Sequence, residues 1–233
     1  LATLYLIPVP LGPIIPDTCL PSDTLAVARR LDHFVVERAK TARAHLKAMG
    51  HPLPIQSLQI EELNEHTPAT AIPSLLAPLK AGHDVGLLSE AGCPAVADPG
   101  SALVMAAHRE GIAVVPLIGP SSILLALMAS GLGGQRFAFH GYLPAKEPER
   151  SHKIRELEKA ARRDRATQLF IETPYRSMAL MDALATTLSP DTFISVGADL
   201  SLPGQLIETR SAKSWRGRTD AIKDKLVVFG IGA

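Results

Sequence analysis

Three short segments hold the residue types from which a ligand cradle is built. The first, 7–13, reads IPVPLGP. Its prolines fix the backbone, and Gly12 permits conformations closed to other residues. The second, 89–100, reads SEAGCPAVADPG. Small side chains there let backbone amides and carbonyls approach a ligand closely. The third, 118–123, reads IGPSSI. A serine at its end is placed to cap the next helix, whose free amides attract a carboxylate. Each segment also has a plainer reading. The first is a stiff surface turn and the second a tight strand-to-helix connection, with Asp98 capping the helix and Pro99 at its first position. The third is an ordinary helix cap.

Reactive constellations of other kinds are missing from the sequence. No Gly-x-Ser-x-Gly elbow, Walker A loop or three-glycine dinucleotide fingerprint occurs, which removes the commonest hydrolase, nucleotide-phosphate and NAD signals. Neither His-x-x-x-His nor Cys-x-x-Cys is found, so no metal site is expected from spacing. Glu65 and His66 are adjacent, which is a weak pattern. Bends poor in side chains, rather than a nucleophile and its base, are the distinctive feature.

Those bends need elements to hold them. Strand signals over 3–9, 33–37, 84–88 and 113–118 alternate with helical ones over 22–31, 41–49 and 100–110. Ser22 or Asp23 is expected to cap the first helix, and Gly50 and Gly111 to end the next two. A weaker strand is expected near 56–59, and a helix over 67–81 despite Pro68, Pro73 and Pro78. Alternation of this kind predicts a largely parallel sheet with helices on its faces. The uncharged strands 85–88 and 113–118 fit burial on both faces. In an open sheet of this kind ligands bind beyond the carboxyl ends of the strands, where the three segments fall.

The second half differs. Helices are expected over 121–130, 147–163 and 177–188, and strands over 137–141, 167–172, 192–198, 205–211 and 226–231. Strands clustered near the end suggest a mixed sheet with antiparallel members. The expected architecture is two α/β domains, 1–118 and 119–233, the first mostly parallel and the second mixed.

Composition bounds the function. The 233 residues are 46% hydrophobic and only 4% aromatic, so the core is aliphatic. The net charge of +1 excludes nucleic-acid binding by bulk electrostatics and confines any such role to a local patch. The stretch 146–165 is the candidate, with eight Lys/Arg against five acids. A solvated helix face with i,i+4 ion pairs is the usual cause of such a run and the favoured reading, with an RNA-facing patch as the alternative. Two cysteines, Cys19 and Cys93, are too few for a disulfide framework and suit a reduced cytoplasmic setting. The start is apolar but lacks a basic leader, so no signal peptide is expected. Residues 112–132 form an uncharged run of 21, long enough to span a bilayer. Pro116, Gly119 and Pro120 break it into strand, turn and helix, which argues against a membrane span.

In their order, these segments resemble the tetrapyrrole methylase superfamily, and within it the branch that methylates small-subunit ribosomal RNA. LYLIPVPLG (4–12), VGLLSEAGCPAVADPG (85–100), VVPLIGPSSILLALMASGL (114–132), RFAFHGYLPAK (136–146) and LFIETPYR (169–176) carry the likeness across most of the chain. The resemblance implies S-adenosylmethionine as cofactor, held in a cleft between the two domains of a tetrapyrrole-methylase-like fold. It implies contacts from Pro8, Pro10, Ser89, Ala91, Gly92, Cys93, Val96, Ala97, Ser121, Ser122, Ile123, Phe170 and Ile171. A homodimer, a ribosomal RNA acceptor methylated on a ribose 2′-hydroxyl, and no membrane partner follow from it. Lys40, Arg43, Lys146, Arg150 and Arg176 are the basic residues on the expected substrate side.

Methyl transfer from a sulfonium is an in-line displacement with a neutral leaving group, so positioning supplies much of the rate. A ribose hydroxyl is a poor nucleophile, and a carboxylate base would help it. Glu37, Glu90 and Glu172 are the candidates, and the sequence does not choose among them. The chain also departs from the family pattern. Glu-Asp-Thr-Arg becomes Glu37-Arg38-Ala39-Lys40, and Ala-Arg-Glu-Leu-Thr-Lys becomes 197–202, GADLSL. Pro13 replaces an Asn. Loops on the cofactor side survive better than polar segments on the substrate side. A small-molecule or tetrapyrrole-like acceptor, or a non-catalytic protein that binds S-adenosylmethionine, are the competing readings.

Overall fold

The computed structural model describes residues 2–232. The chain forms two compact units, Leu1–Ser121 and Ser122–Ala233.

The first unit is a five-stranded parallel sheet. Its strands are β1 (Thr3–Leu6), β2 (His33–Val36), β3 (Gln59–Glu62), β4 (Val85–Leu88) and β5 (Ala113–Pro116), in the spatial order β3-β2-β4-β1-β5. Helices α1 (Ser22–Arg30) and α2 (Ala39–Ala48) cover one face. Leu25, Ala28, Ala42 and Leu46 pack there on Ile7, Phe34, Val36 and Leu88. The short α3 (Ile72–Leu75) and α4 (Ala77–Lys80), with α5 (Gly100–Arg109), cover the other. Leu75, Leu79 and Leu103 pack there on Leu4, Val35, Val85 and Leu87. The period-two alternation of strand side chains explains this division, since Val35 faces one way and its neighbours Phe34 and Val36 the other.

Several sequence expectations need correction. The helix expected over 67–81 breaks into a 3-10 turn and two four-residue helices. Pro73 and Pro78 each sit in the first turn of a new helix, where the missing N–H costs nothing, and so each restarts the helix instead of extending it. The strand expected at 56–59 starts only at Gln59, because a 3-10 turn at Ile55–Ser57 follows Pro54. Neither Ser22 nor Asp23 caps α1; Pro21 stands at the cap and Ser22 is already helical. β5 is not buried on both faces. It is the sheet edge, with Ala113, Val115 and Pro116 exposed, while the central β4 is buried throughout. Lack of charge therefore did not distinguish a central strand from an edge. Among the described residues no helix is long and apolar enough to cross a membrane.

The second unit is a mixed sheet. α6 (Ser122–Ser130), β6 (Phe137–Tyr142), α7 (Glu149–Asp164), β7 (Thr167–Glu172), α8 (Pro174–Thr187), β8 (Phe193–Ala198), β9 (Leu206–Ser211), α9 (Ala212–Trp215) and β10 (Val227–Gly232) follow in sequence. The strand order is β6-β7-β10-β8-β9; only β6 and β7 pair in parallel. Ile154, Leu157, Leu180, Met181, Leu184 and Trp215 pack on Phe170, Ile194, Val196 and Phe229. Alternation turns Gly197 and Gly230 to the opposite face, where added Cβ atoms would meet Ala126 of α6 and Leu132. The basic stretch is α7, and much of its charge is paired along the helix. Arg150 meets Glu147, Lys153 meets Glu156 and Arg162 meets Glu158.

Candidate active site

All strands of the first sheet run the same way, so the loops after β1, β4 and β5 emerge at one edge. They are locked to one another there. Val9 and Gly92 form an antiparallel bridge through two backbone hydrogen bonds, of 3.0 and 3.1 Å. Gly92 has φ +71°, and a side chain on it would also press on the Pro120 carbonyl oxygen at 3.3 Å. The Cys93 thiol lies 3.4 Å from that same oxygen, and burial pushes its pKa up. Thr24 Oγ1 donates to the Ile118 carbonyl at 2.8 Å and anchors the third loop from α1. Gly119 lies against Pro8. Three segments that are remote in sequence are thus one assembly.

The second loop is shaped from within. Ser89 is buried, and its hydroxyl donates to the carbonyls of Ala91 and Gly92. Asp98 Oδ1 accepts the N–H groups of Ala95 and Gly100, both at 2.8 Å. Pro99, not Asp98, stands at the cap of α5, whose first residue is Gly100; Asp98 reaches the Gly100 N–H from one residue earlier and ties the loop back on itself. Ala95 (φ 63°) and Ala97 (φ 60°) adopt the left-handed conformation. For a residue with a Cβ this costs about 1 kcal/mol, and such strain persists only where surrounding bonds hold it. Ala91, Val96 and Ala97 are exposed, whereas Pro8 and Pro10 are buried.

Two of the three candidate bases meet at this edge. Val36 and Leu88 are register partners, so Glu37 and Glu90 leave adjacent strand ends. Glu90 Oε2 accepts the Thr41 hydroxyl at 3.0 Å, and its carbonyl oxygen lies 3.2 Å from His45 Nε2. Burial raises the pKa of Glu37, and the charges of Glu90 and Asp98 raise it further; Arg38 and the Glu90 N–H oppose them. Burial likewise raises that of Asp98, against the N–H groups of Gly100 and Ala95. Three carboxyls in one partly desolvated group favour proton uptake by one of them. Thr41, His45 and Asp98 were not identified from sequence as members of this group. The i,i+4 spacing of Thr41 and His45 on α2 was the available signal.

Glu172 belongs to the second unit and is occupied differently. Its Oε1 accepts the Thr173 N–H at 2.7 Å and both Nε (3.0 Å) and Nη2 (2.7 Å) of Arg176. The carboxylate is buried, and the ion pair with Arg176 holds it at the junction of β7 and α8. Phe170 is buried in the core of that unit, Ile171 is half-buried, and Ser122 and Ile123 open α6. Among the expected substrate-side residues, Lys40 and Arg43 are exposed along α2 and Lys146 is exposed before α7. Arg150 and Arg176 are each paired with a carboxylate.

The geometry defines a class: a parallel α/β unit with a cradle of interlocked loops at its strand ends, followed by a mixed α/β unit. Solved methyltransferases share this fold. The chain aligns over 99% of its length with the methyltransferase CobJ, covering 93% of that chain at 20% identity and a TM-score of 0.64. It aligns over its whole length with the uroporphyrin-III-C-methyltransferase of Thermus thermophilus, covering 94% of that chain at 18% identity and a TM-score of 0.59.

Sequence comparison gives the family. The profile of the tetrapyrrole (corrin/porphyrin) methylases matches residues 20–214, and the chain belongs to that family. It is a methyltransferase. It is 33% identical, over 97% of its length, to ribosomal RNA small subunit methyltransferase I of Mesorhizobium japonicum, spanning 74% of that protein. It is 29% identical, over 85% of its length, to the protein of that name from Escherichia coli O157:H7, spanning 65% of it.

Proposed function

We propose that this chain methylates a ribose hydroxyl of small-subunit ribosomal RNA, with S-adenosylmethionine as donor and Glu37 as the base. One observation carries the reading: a raised-pKa carboxyl stands beside a cradle of interlocked loops at the same sheet edge. The acceptor comes from the names of the relatives matched over most of the chain.

The residues present suit the donor. Gly92 and Gly119 sit where a side chain would press on the neighbouring loop, so the loops close up backbone to backbone. Exposed Ala91, Val96 and Ala97 offer small apolar surface and main-chain polar groups to an adenosine and its amino-acid tail. Bound there, the sulfonium supplies an electrophilic methyl group and departs as a neutral thioether.

Glu37 holds its proton more tightly than an ordinary glutamate. As a carboxylate it is therefore the stronger base toward the attacking hydroxyl. Glu90, fixed by Thr41, is one of the neighbours that raise the Glu37 pKa. Lys40, Arg43 and Lys146 are exposed cations available to RNA phosphates. The same reading makes the protein a cytoplasmic homodimer.

The test has two stages. Calorimetry should show one S-adenosylmethionine and one demethylated product bound per chain. Labelled methyl groups should then pass to small ribosomal subunits from cells lacking this enzyme. No binding at millimolar donor removes the reading. Binding without transfer leaves a smaller acceptor or a binding protein, which the net charge of +1 and the GADLSL segment at 197–202 would favour.

A further inference from the structure

We propose that Asp32, His33 and His83 form a binding site for a borderline-soft divalent cation, with zinc as the reference ion. Each residue offers one ligand atom, and the three atoms lie within 4.8 Å of one another. His33 Nδ1 is 2.7 Å from Asp32 Oδ1, and the two imidazoles stack with centroids 4.7 Å apart. Two imidazoles and a carboxylate are a donor set that suits zinc, nickel or copper, and one that magnesium and calcium do not favour.

The location separates this site from methyl transfer. His33 is the first residue of β2 and the register partner of Val85, the first residue of β4; His83 stands two residues before Val85. The cluster therefore lies at the amino ends of two parallel strands, and Glu37, Glu90 and the cradle loops lie at the carboxyl ends. His33 and His83 are 50 residues apart in sequence, so no spacing motif could reveal the pair.

A tetrahedral zinc with bonds of about 2.0–2.1 Å needs ligand atoms about 3.3 Å apart, so the 2.7 Å contact of His33 with Asp32 must open and the wider separations in the trio must close. Asp32 and His83 are both exposed, which leaves them room to turn. The neighbouring Asp84 is engaged by Arg30 at 3.0 Å and by the Thr3 N–H at 2.8 Å, so water completes the coordination.

The full chain, stripped with a chelator, is titrated with Zn²⁺ and separately with Mg²⁺ by calorimetry and thermal denaturation. One Zn²⁺ per chain with a raised Tm, and no response to Mg²⁺, is the expected result. His83→Ala and Asp32→Asn should each weaken Zn²⁺ binding at least about tenfold. Both residues are exposed, so the Tm of the metal-free protein should hold. Absence of Zn²⁺ binding, or binding that both variants retain at full strength, overturns the proposal. In that case the cluster is a solvated ion pair with a stacked neighbour.

Discussion

Gly119 lies so close to Pro8 that a Cβ built on the glycine would stand 2.3 Å from the proline's own Cβ. No side chain fits between them. The loop after β5 is thereby pressed flat against the loop after β1, and Gly92 joins both through Val9 and Pro120. The cradle therefore has a measurable dependence on one hydrogen atom.

Gly119→Ala should destabilise the protein by about 1–3 kcal/mol, the usual cost of overpacking a closed site. Buried Pro8 cannot retreat easily, and Leu20 stands 3.1 Å away on the same side. Urea denaturation measures the loss, and an unchanged midpoint would mean that the loops part freely. Donor affinity should fall as well, because separated loops no longer present a joined surface.

Ala91→Trp tests the cradle without disturbing its interior. Ala91 is exposed, so the fold should keep its Tm, yet the indole would cover the surface assigned to the donor. Calorimetry should show S-adenosylmethionine affinity reduced by at least about tenfold, roughly 1.4 kcal/mol. Wild-type affinity in a folded variant would place the donor elsewhere.

Glu37→Gln should lower kcat/KM by about 10²–10⁴-fold, the range of a lost general base. The wild-type rate should rise with pH along a limb lying above the ordinary glutamate value, as Glu37 loses its proton, and the variant should lack that limb. Stability runs the other way. Glu37 and Asp98 bind protons more tightly folded than unfolded. Their contribution to stability is full below the unfolded carboxyl pKa and fades as pH rises through the raised folded values. The variant should thus be no less stable than wild type at neutral pH, and its stability should vary less with pH in the acid range. A marked fall in Tm at neutral pH would contradict this account.

Arg176→Met should cost about 3 kcal/mol, because it strands the buried Glu172 carboxylate. Removing both charges, with Glu172→Gln added, should recover much of that loss in a double-mutant cycle. Additive losses would show that the pair is not coupled. An Arg176 that bound substrate alone would change KM and leave unfolding untouched.

Local pattern in the sequence determined much of this protein. The uninterrupted apolar run of β4, the strand at Thr167–Glu172, and the proline- and glycine-rich bends that follow three strands are all written in consecutive residues. Backbone preference acts over a few residues, so such features are legible without a fold. The division into a parallel and a mixed sheet follows equally from the order of strands and helices.

Only the tertiary structure decided the rest. β5 looks as apolar as β4 but lies at an edge, because burial depends on which strands pair. Glu37, Glu90 and Glu172 are alike as residues; register brings the first two together, and Arg176 holds the third. Asp32, His33 and His83 meet for the same reason. Pairing between segments 50 or more residues apart is set by the collective packing of both sheet faces, and no local spacing encodes it.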